Sequence, residues 1–171
     1  NTIRAVAVDG DQVREWLEMS SGVFNQIDPG NHDAQELINR SFSSYNFDVI
    51  DGVTYRIDVT QAPRYDDDGN LINPDSRRIV DLSYDAKPID NEQTFVVVTN
   101  NYRAGGGGGF PGLDGSNIII EAPDTNRSAL ADYIFEEGTI DPSADMNWSF
   151  VPIAADVNVT FTSSANAERA L

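Results

Sequence analysis

Cysteine is absent from this chain of 171 residues, histidine occurs once, and basic side chains number 11 against 28 acidic ones. Without a thiol there is no disulfide framework and no thiolate metal site, and the compartment is left open between the cytosol and an exported bacterial location. His32 is the sole histidine and sits in the polar, turn-rich stretch 28–33, so a Ser-His-Asp relay or a histidine-based metal cluster would have to be built around it alone. It is read as a solvated loop residue. The formal net charge of -17 removes the Lys and Arg surplus on which affinity for a nucleic-acid polymer depends. A mononucleotide is not excluded, because stacking and a few local donors can hold one small ligand within an acidic surface. No apolar run approaches the roughly 20 residues of a membrane helix, and no basic segment followed by an apolar stretch opens the chain. The chain starts at Asn1-Thr2-Ile3 with no initiator methionine, so upstream sequence is expected.

What is present suffices for one domain with a real core, at 40% hydrophobic residues. Residues 2–8 alternate as a strand, with Ile3, Ala5 and Ala7 on one face and Val6 and Val8 on the other. Asp11 is the expected cap of a helix over residues 12–20, in which Val13, Trp16 and Leu17 form a buried stripe and Gly22 suits the stop. Residues 34–44 read equally as a short helix or an irregular loop. Residues 47–50 and 53–59 flank Asp51-Gly52, and the second run alternates strictly as a strand. Asp66-Asp67-Asp68-Gly69-Asn70 invites a calcium reading, but counting back from Gly69 puts Arg64 at the first ligand position and provides no flanking helices, so a loop tip is preferred.

Residues 79–84 read as a strand, 87–90 as a turn, and 94–99 as a buried strand. A further strand at 118–121 leads through Pro123-Asp124-Thr125 into a helix over 126–137 that ends at Gly138, with Leu130, Ala131, Ile134 and Phe135 on its inner face. Strands at 148–151 and 157–162 and a frayed tail at 165–171 complete the reading. Periodicity alone gives an α+β protein of mixed sheets with two main helices.

The segment from which function can be argued is Thr99-Asn100-Asn101-Tyr102-Arg103-Ala104, followed by five glycines, Gly105 to Gly109, and Phe110-Pro111-Gly112. A strand feeds one aromatic ring into a backbone with no side chains to keep a ligand away. Tyr102 offers a flat face for a nucleobase, and bare glycine N–H groups can approach sugar or phosphate oxygens. Glycine-rich loops also serve as hairpin connections or linkers, and that reading stands beside the first. Two other glycine motifs fail on spacing. No Lys-Ser/Thr pair closes the run as a phosphate-cradling loop needs, and no helix opens on its last glycine as a dinucleotide fingerprint needs.

Several segments in order carry a resemblance. These are Val6-Ala7-Val8-Asp9-Gly10-Asp11-Gln12-Val13-Arg14-Glu15-Trp16-Leu17-Glu18, then Tyr45-Asn46-Phe47-Asp48 with Gly52-Val53-Thr54-Tyr55-Arg56-Ile57-Asp58, then Asn100-Asn101-Tyr102-Arg103-Ala104 and its glycines. Together they resemble the C-terminal domain of the 5'-nucleotidase superfamily over nearly the whole chain. Within it, Asn100-Asn101-Tyr102-Arg103-Ala104 and Phe47-Asp48-Val49-Ile50-Asp51-Gly52-Val53 are most similar to the bacterial 2',3'-cyclic-nucleotide 2'-phosphodiesterase/3'-nucleotidase branch.

The resemblance implies a four-layer α/β/β/α arrangement and a division of labour. An N-terminal metallophosphoesterase domain, in cis and outside this chain, would carry two divalent metal ions. Residues 1–171 would be a single domain that grips a nucleoside or mononucleotide, reaches the metals by a hinge rotation and hydrolyses nothing by itself. In the family two aromatic rings sandwich the base; one maps onto Tyr102, and the other would lie upstream of Asn1. Asn1 falls where 5'-nucleotidases place an asparagine near the base. The backbone of Gly105, Gly106, Gly107 and Gly108 would shape the sugar side, and Arg103 would orient the loop or meet phosphate.

Gly108 departs from 5'-nucleotidases, which carry a ribose-holding aspartate there; a substrate phosphorylated on its 2' or 3' oxygen would be repelled by that carboxylate. The resemblance also implies a role in nucleotide catabolism at a periplasmic or secreted location. Two alternatives remain at this stage: the same domain of a 5'-nucleotidase or nucleotide-sugar hydrolase, and a non-catalytic secreted binding or adhesion module.

Overall fold

The structure is a computed structural model that describes residues 1–162; the tail expected at 165–171 lies outside the described residues. Strand β1 (Thr2–Asp9) runs straight into helix α1 (Gly10–Ser20). The cap is Asp9, whose carboxylate accepts from the Gln12 N–H at 2.8 Å, and not the expected Asp11. Residue 10, the first of the helix, lies against the Asp90 carbonyl, where any Cβ would overlap the oxygen; only glycine fits. Gly22 does not stop the helix at an open C-terminus but lies in a 3-10 turn, Ser21–Val23, against the Phe42 ring.

Short strand β2 (Gln35–Glu36) occupies the stretch whose reading was open, and pairs in parallel with β9 (Val159–Thr160). Strands β3 (Val53–Ile57), β4 (Ile79–Tyr84), β5 (Lys87–Pro88) and β8 (Trp148–Phe150) form a four-stranded sheet in the order β5-β4-β3-β8. The turn expected at 87–90 lies two residues earlier. Asp85 and Ala86 both have φ near +50°, the two-residue hairpin geometry, which frees Lys87 and Pro88 to pair with β4. The second sheet sets β1 between β6 (Thr94–Asn100) and β7 (Ile118–Thr125), both antiparallel to it, in the order β6-β1-β7. A one-turn helix, α2 (Asn101–Ala104), continues β6, and α3 (Asn126–Glu137) continues β7.

The core lies around α1. Val13, Trp16, Leu17 and Met19 are buried with Val6 and Val8 of β1, Val53, Tyr55 and Ile57 of β3, and Ile79 and Leu82 of β4. At 25–30 cal/mol per Å² of apolar area removed from water, this interlock is the main source of stability. The core also takes in charge. The Glu18 carboxylate, buried, accepts from the backbone N–H of Arg78 at 3.0 Å and of Ile79 at 3.0 Å. Burial nevertheless pushes its pKa above the ordinary value. The Arg78 guanidinium, equally buried, donates to the carbonyls of Ser21 and Phe24 at 2.9 and 2.7 Å, and burial lowers its pKa to about 10.

Two expectations of burial fail. Strand β6 is buried on one face only: Phe95 and Val97 pack partly against the core, while Val96 and Val98, on the face that no described element covers, are 60% and 67% exposed. Helix α3 spans the expected residues and ends at Gly138, yet Leu130, Ala131, Ile134 and Phe135 are all exposed, and no residue of the helix is buried. The 47–50 run is extended in sequence character but pairs with no strand among the described residues. The fold is α+β, as read from the sequence.

Candidate functional site

The site residues gather where β6 ends. Asn100 caps α2, its side chain accepting from the Arg103 N–H at 2.9 Å, while the Asn101 side chain accepts from the Thr2 N–H at 2.9 Å and ties α2 to the start of β1. This turn throws the Tyr102 ring outward. The ring lies flat on Gly107: a Cβ there would stand 2.6 Å from three of its carbons, so only glycine lets the phenol settle. The Gly107 N–H donates to the Tyr102 carbonyl at 2.8 Å and closes the loop. One face of Tyr102 is thus backed by bare main chain, and the residue stays 47% exposed.

Arg103 points the other way. It is 3% exposed and its donors are taken up inside the protein. Its Nε donates to Asp48 Oδ2 at 2.6 Å and its Nη2 to Asp48 Oδ1 at 3.1 Å, a two-pronged contact; Nη2 also donates to Asn46 Oδ1 at 3.1 Å, and Nη1 donates to the Gly107 carbonyl. The guanidinium stacks 3.7 Å from the centroid of Phe110. These contacts let Arg103 hold the loop's shape.

Asp48 is the node of this arrangement. Besides Arg103 it accepts from Trp16 Nε1 at 2.8 Å, which links the loop to the helical core. Nothing in the sequence pairs Asp48 with Arg103; the one local signal is a carboxylate inside the otherwise apolar run Phe47-Asp48-Val49-Ile50. Nothing in the sequence pairs Asn46 with Arg103 either. At Gly108, where φ is +82°, a Cβ would overlap Arg103 and lie 2.5 Å from Asn46 Oδ1, so this loop has no room for an aspartate.

A second brace comes from the acidic tip at 66–70. The Asp66 carboxylate accepts from the N–H groups of Asp68 and Asn70 at 3.0 and 2.8 Å, an Asx-type loop whose hydrogen bonds hold that acid below its usual range. Gly69 of this tip packs against the main chain of Gly109. The tip is anchored in turn by Glu15 of α1, which accepts from Arg64 Nε at 2.8 Å, from Tyr65 Oη and from Arg77 Nη1 at 2.6 Å. Burial raises the Glu15 pKa, but these donors outweigh it and hold the group below its ordinary value.

Asn1 lies exposed at the same end of the sheet, its carbonyl accepting from the Asn126 N–H at 3.1 Å. Asn1, Tyr102 and Gly105, Gly106, Gly107 and Gly108 are therefore brought to one end of the β6-β1-β7 sheet, with Arg103 beneath them. His32 is far in sequence and exposed, its Nδ1 3.1 Å from the Asp156 carbonyl. Among the described residues no group of three or more His, Asp or Glu is placed to hold a metal ion. The residues of this chain thus supply an exposed ring, a bare backbone and a rigid buried support.

The family model described as 5'-nucleotidase, C-terminal domain, matches residues 1–115, and the chain belongs to that family. It is 53% identical over 168 residues to the trifunctional nucleotide phosphoesterase protein of Bacillus subtilis, covering 98% of this chain and 11% of that protein. Identity is 46% over 177 residues to the 2',3'-cyclic-nucleotide 2'-phosphodiesterase/3'-nucleotidase of Haemophilus influenzae, covering 99% of this chain and 27% of that protein. The chain therefore spans about a quarter or less of the length of these relatives and matches their C-terminal part. A Staphylococcus aureus structure that carries the 5'-nucleotidase name shares the fold, with a TM-score of 0.70 at 21% identity over 88% of this chain and 27% of that one.

Proposed function

We propose that this domain binds the nucleoside and sets specificity in a nucleotide phosphoesterase of the 2',3'-cyclic-nucleotide 2'-phosphodiesterase/3'-nucleotidase kind. The observation that carries the reading is Tyr102, seated flat on Gly107 with its other face open at the end of a strand, in a chain whose relatives bear nucleotide phosphoesterase names. A base stacks on that open face, and a second ring from polypeptide ahead of Asn1 closes the sandwich. The main chain of Gly105, Gly106, Gly107 and Gly108 meets the sugar side, and Asn1 lies near the base. Arg103 and Asp48 keep the loop in the receptive shape. Chemistry belongs to a preceding domain, where two divalent ions supply the activated water for attack on phosphorus. The protein works in the periplasm or outside the cell, in nucleotide salvage or breakdown.

Gly108 favours this branch over a 5'-nucleotidase or nucleotide-sugar hydrolase. Its Cβ position is filled by Arg103 and Asn46, so no carboxylate faces a 2' or 3' phosphate. The test is kinetic and uses the full-length enzyme. Tyr102→Ala should weaken adenosine binding and raise KM for 3'-AMP by about 5- to 150-fold, the stacking of one base being worth about 1–3 kcal/mol. Binding unchanged in this variant would overturn the clamp. A preference for 5'-AMP over 3'-AMP would overturn the branch, and no nucleoside binding by the full-length protein would leave the adhesion reading.

A further inference from the structure

Strand β6 has one partner, β1, and its other edge is open among the described residues. That edge is long and unguarded. Its sequence, Thr94-Phe95-Val96-Val97-Val98-Thr99-Asn100, holds no charge and no proline, and five of its seven residues are β-branched. The opposite edge of the same sheet and one edge of the four-stranded sheet are blunted in the usual ways: β7 carries Glu121, Pro123 and Asp124 with two register shifts, and β5 is two residues, Lys87 and Pro88. A flat apolar edge without such devices is what a strand needs to acquire a partner.

The space beside it has the matching shape. Two adjoining cavities, of about 580 and 330 Å³, run along residues 93–99 and share Val96 and Val97, Ile50 and Asp51 as walls. Consecutive residues of β6 line them, so it is the main-chain edge and not one face that borders the groove. The far wall is the segment 47–53, which is unpaired up to Gly52 and enters β3 at Val53. A polypeptide in this groove would run alongside β6 and cover Val96 and Val98.

We infer that the groove receives an extended segment of the polypeptide preceding Asn1 in the full-length protein, which adds to β6 as a fourth strand of that sheet. The relatives match this chain only with their C-terminal part, so most of their length precedes it. Polypeptide arriving at Asn1 enters beside the end of β6, since Ile3 pairs with Asn100 and the Thr2 N–H donates to Asn101. A tethered strand has the advantage of high effective concentration. A second copy is disfavoured, because each carries a formal charge of -17. This inference is independent of what Tyr102 binds.

Amide hydrogen exchange on the unmodified full-length protein tests the edge. A covered edge protects the amides of residues 94–100 alike, within about tenfold of those of β1; alternation, with every second amide about 100-fold faster, would overturn the inference. A photoreactive phenylalanine analogue at position 98 then identifies the occupant. A cross-link within one molecule to residues ahead of Asn1 is expected. Cross-links between two molecules, or only to residues 47–53, would overturn it.

Discussion

Helices α1 and α3 start alike and differ completely in their surroundings. Both follow a strand directly and both are capped by a side chain from the last strand residue, Asp9 in one and Thr125 in the other, but only α1 gathers its apolar residues into one stripe, while those of α3 spread around the helix. Yet seven of the eleven residues of α1 are buried and none of α3 is. The apolar stripe of α1 meets sheets on several sides, whereas among the described residues α3 meets little beyond β7, the strand it continues. A one-sided apolar stripe records which face of a helix is packed, and α1 has one; the apolar residues of α3 mark no such face. Among the described residues the part of the molecule around α1 is closed by its own packing, whereas the rim, the outer face of β6 and helix α3, is exposed.

The comparison is broken most directly in the core. Leu17→Ala, at a fully buried position of α1, should cost about 2–5 kcal/mol in denaturant unfolding, the range for deleting a packed leucine side chain. Next comes the support of the loop. Asp48→Ala strips the buried Arg103 of its carboxylate and Trp16 of its acceptor, and should cost about 3 kcal/mol, the lower end for breaking a buried pair, because the Asp48 side chain retains 24% exposure. It should also weaken nucleoside binding without touching the ligand. Stability lost with binding intact would show that the loop does not need Arg103 for its shape.

How much of this could be read beforehand follows the range of the interactions. The stripe Val13, Trp16, Leu17, the span of α3 and the alternation of β3 rest on neighbours in sequence and were legible. So was the outward ring beside its glycines. Asp48 was not, because its partner Arg103 is 55 positions away and nothing local marks the contact. The fit of Gly108 was half legible: the missing aspartate shows in the sequence, but Asn46 and Arg103 filling its place show only in three dimensions. The exposure of β6 was misread because a short β-branched run looks the same whether its neighbour is present or still to come.

Two acids on α1 sharpen the contrast within the core itself. Glu15, held low by Arg64, Tyr65 and Arg77 despite its burial, stabilises the fold above pH 4.5, and that contribution is lost as pH falls through its folded value. Glu18, raised by burial, behaves oppositely: the folded state holds its proton more tightly, so stability is recovered as pH falls from 7 through the raised value toward 4.5. The gap between the parent and Glu15→Gln should therefore shrink below pH 4.5, while the gap to Glu18→Gln should widen between neutrality and 4.5. Urea unfolding across that range reads both slopes, and two slopes of the same sign would contradict the assigned environments.

The smallest effect is the most informative about the rim. Ile134→Ala on α3 removes as much apolar surface as a core substitution of the same type, yet its side chain lies 42% exposed and leaves no cavity when trimmed. In this 171-residue chain the change should fall within about 0.5 kcal/mol of zero, the range of surface substitutions. The same substitution at Ile57 of β3, 1% exposed, should cost about 2–5 kcal/mol. If Ile134→Ala cost as much as the β3 variant, α3 would be packed in solution, the two helices would be equivalent after all, and the division between a closed core and an open rim would have to be abandoned.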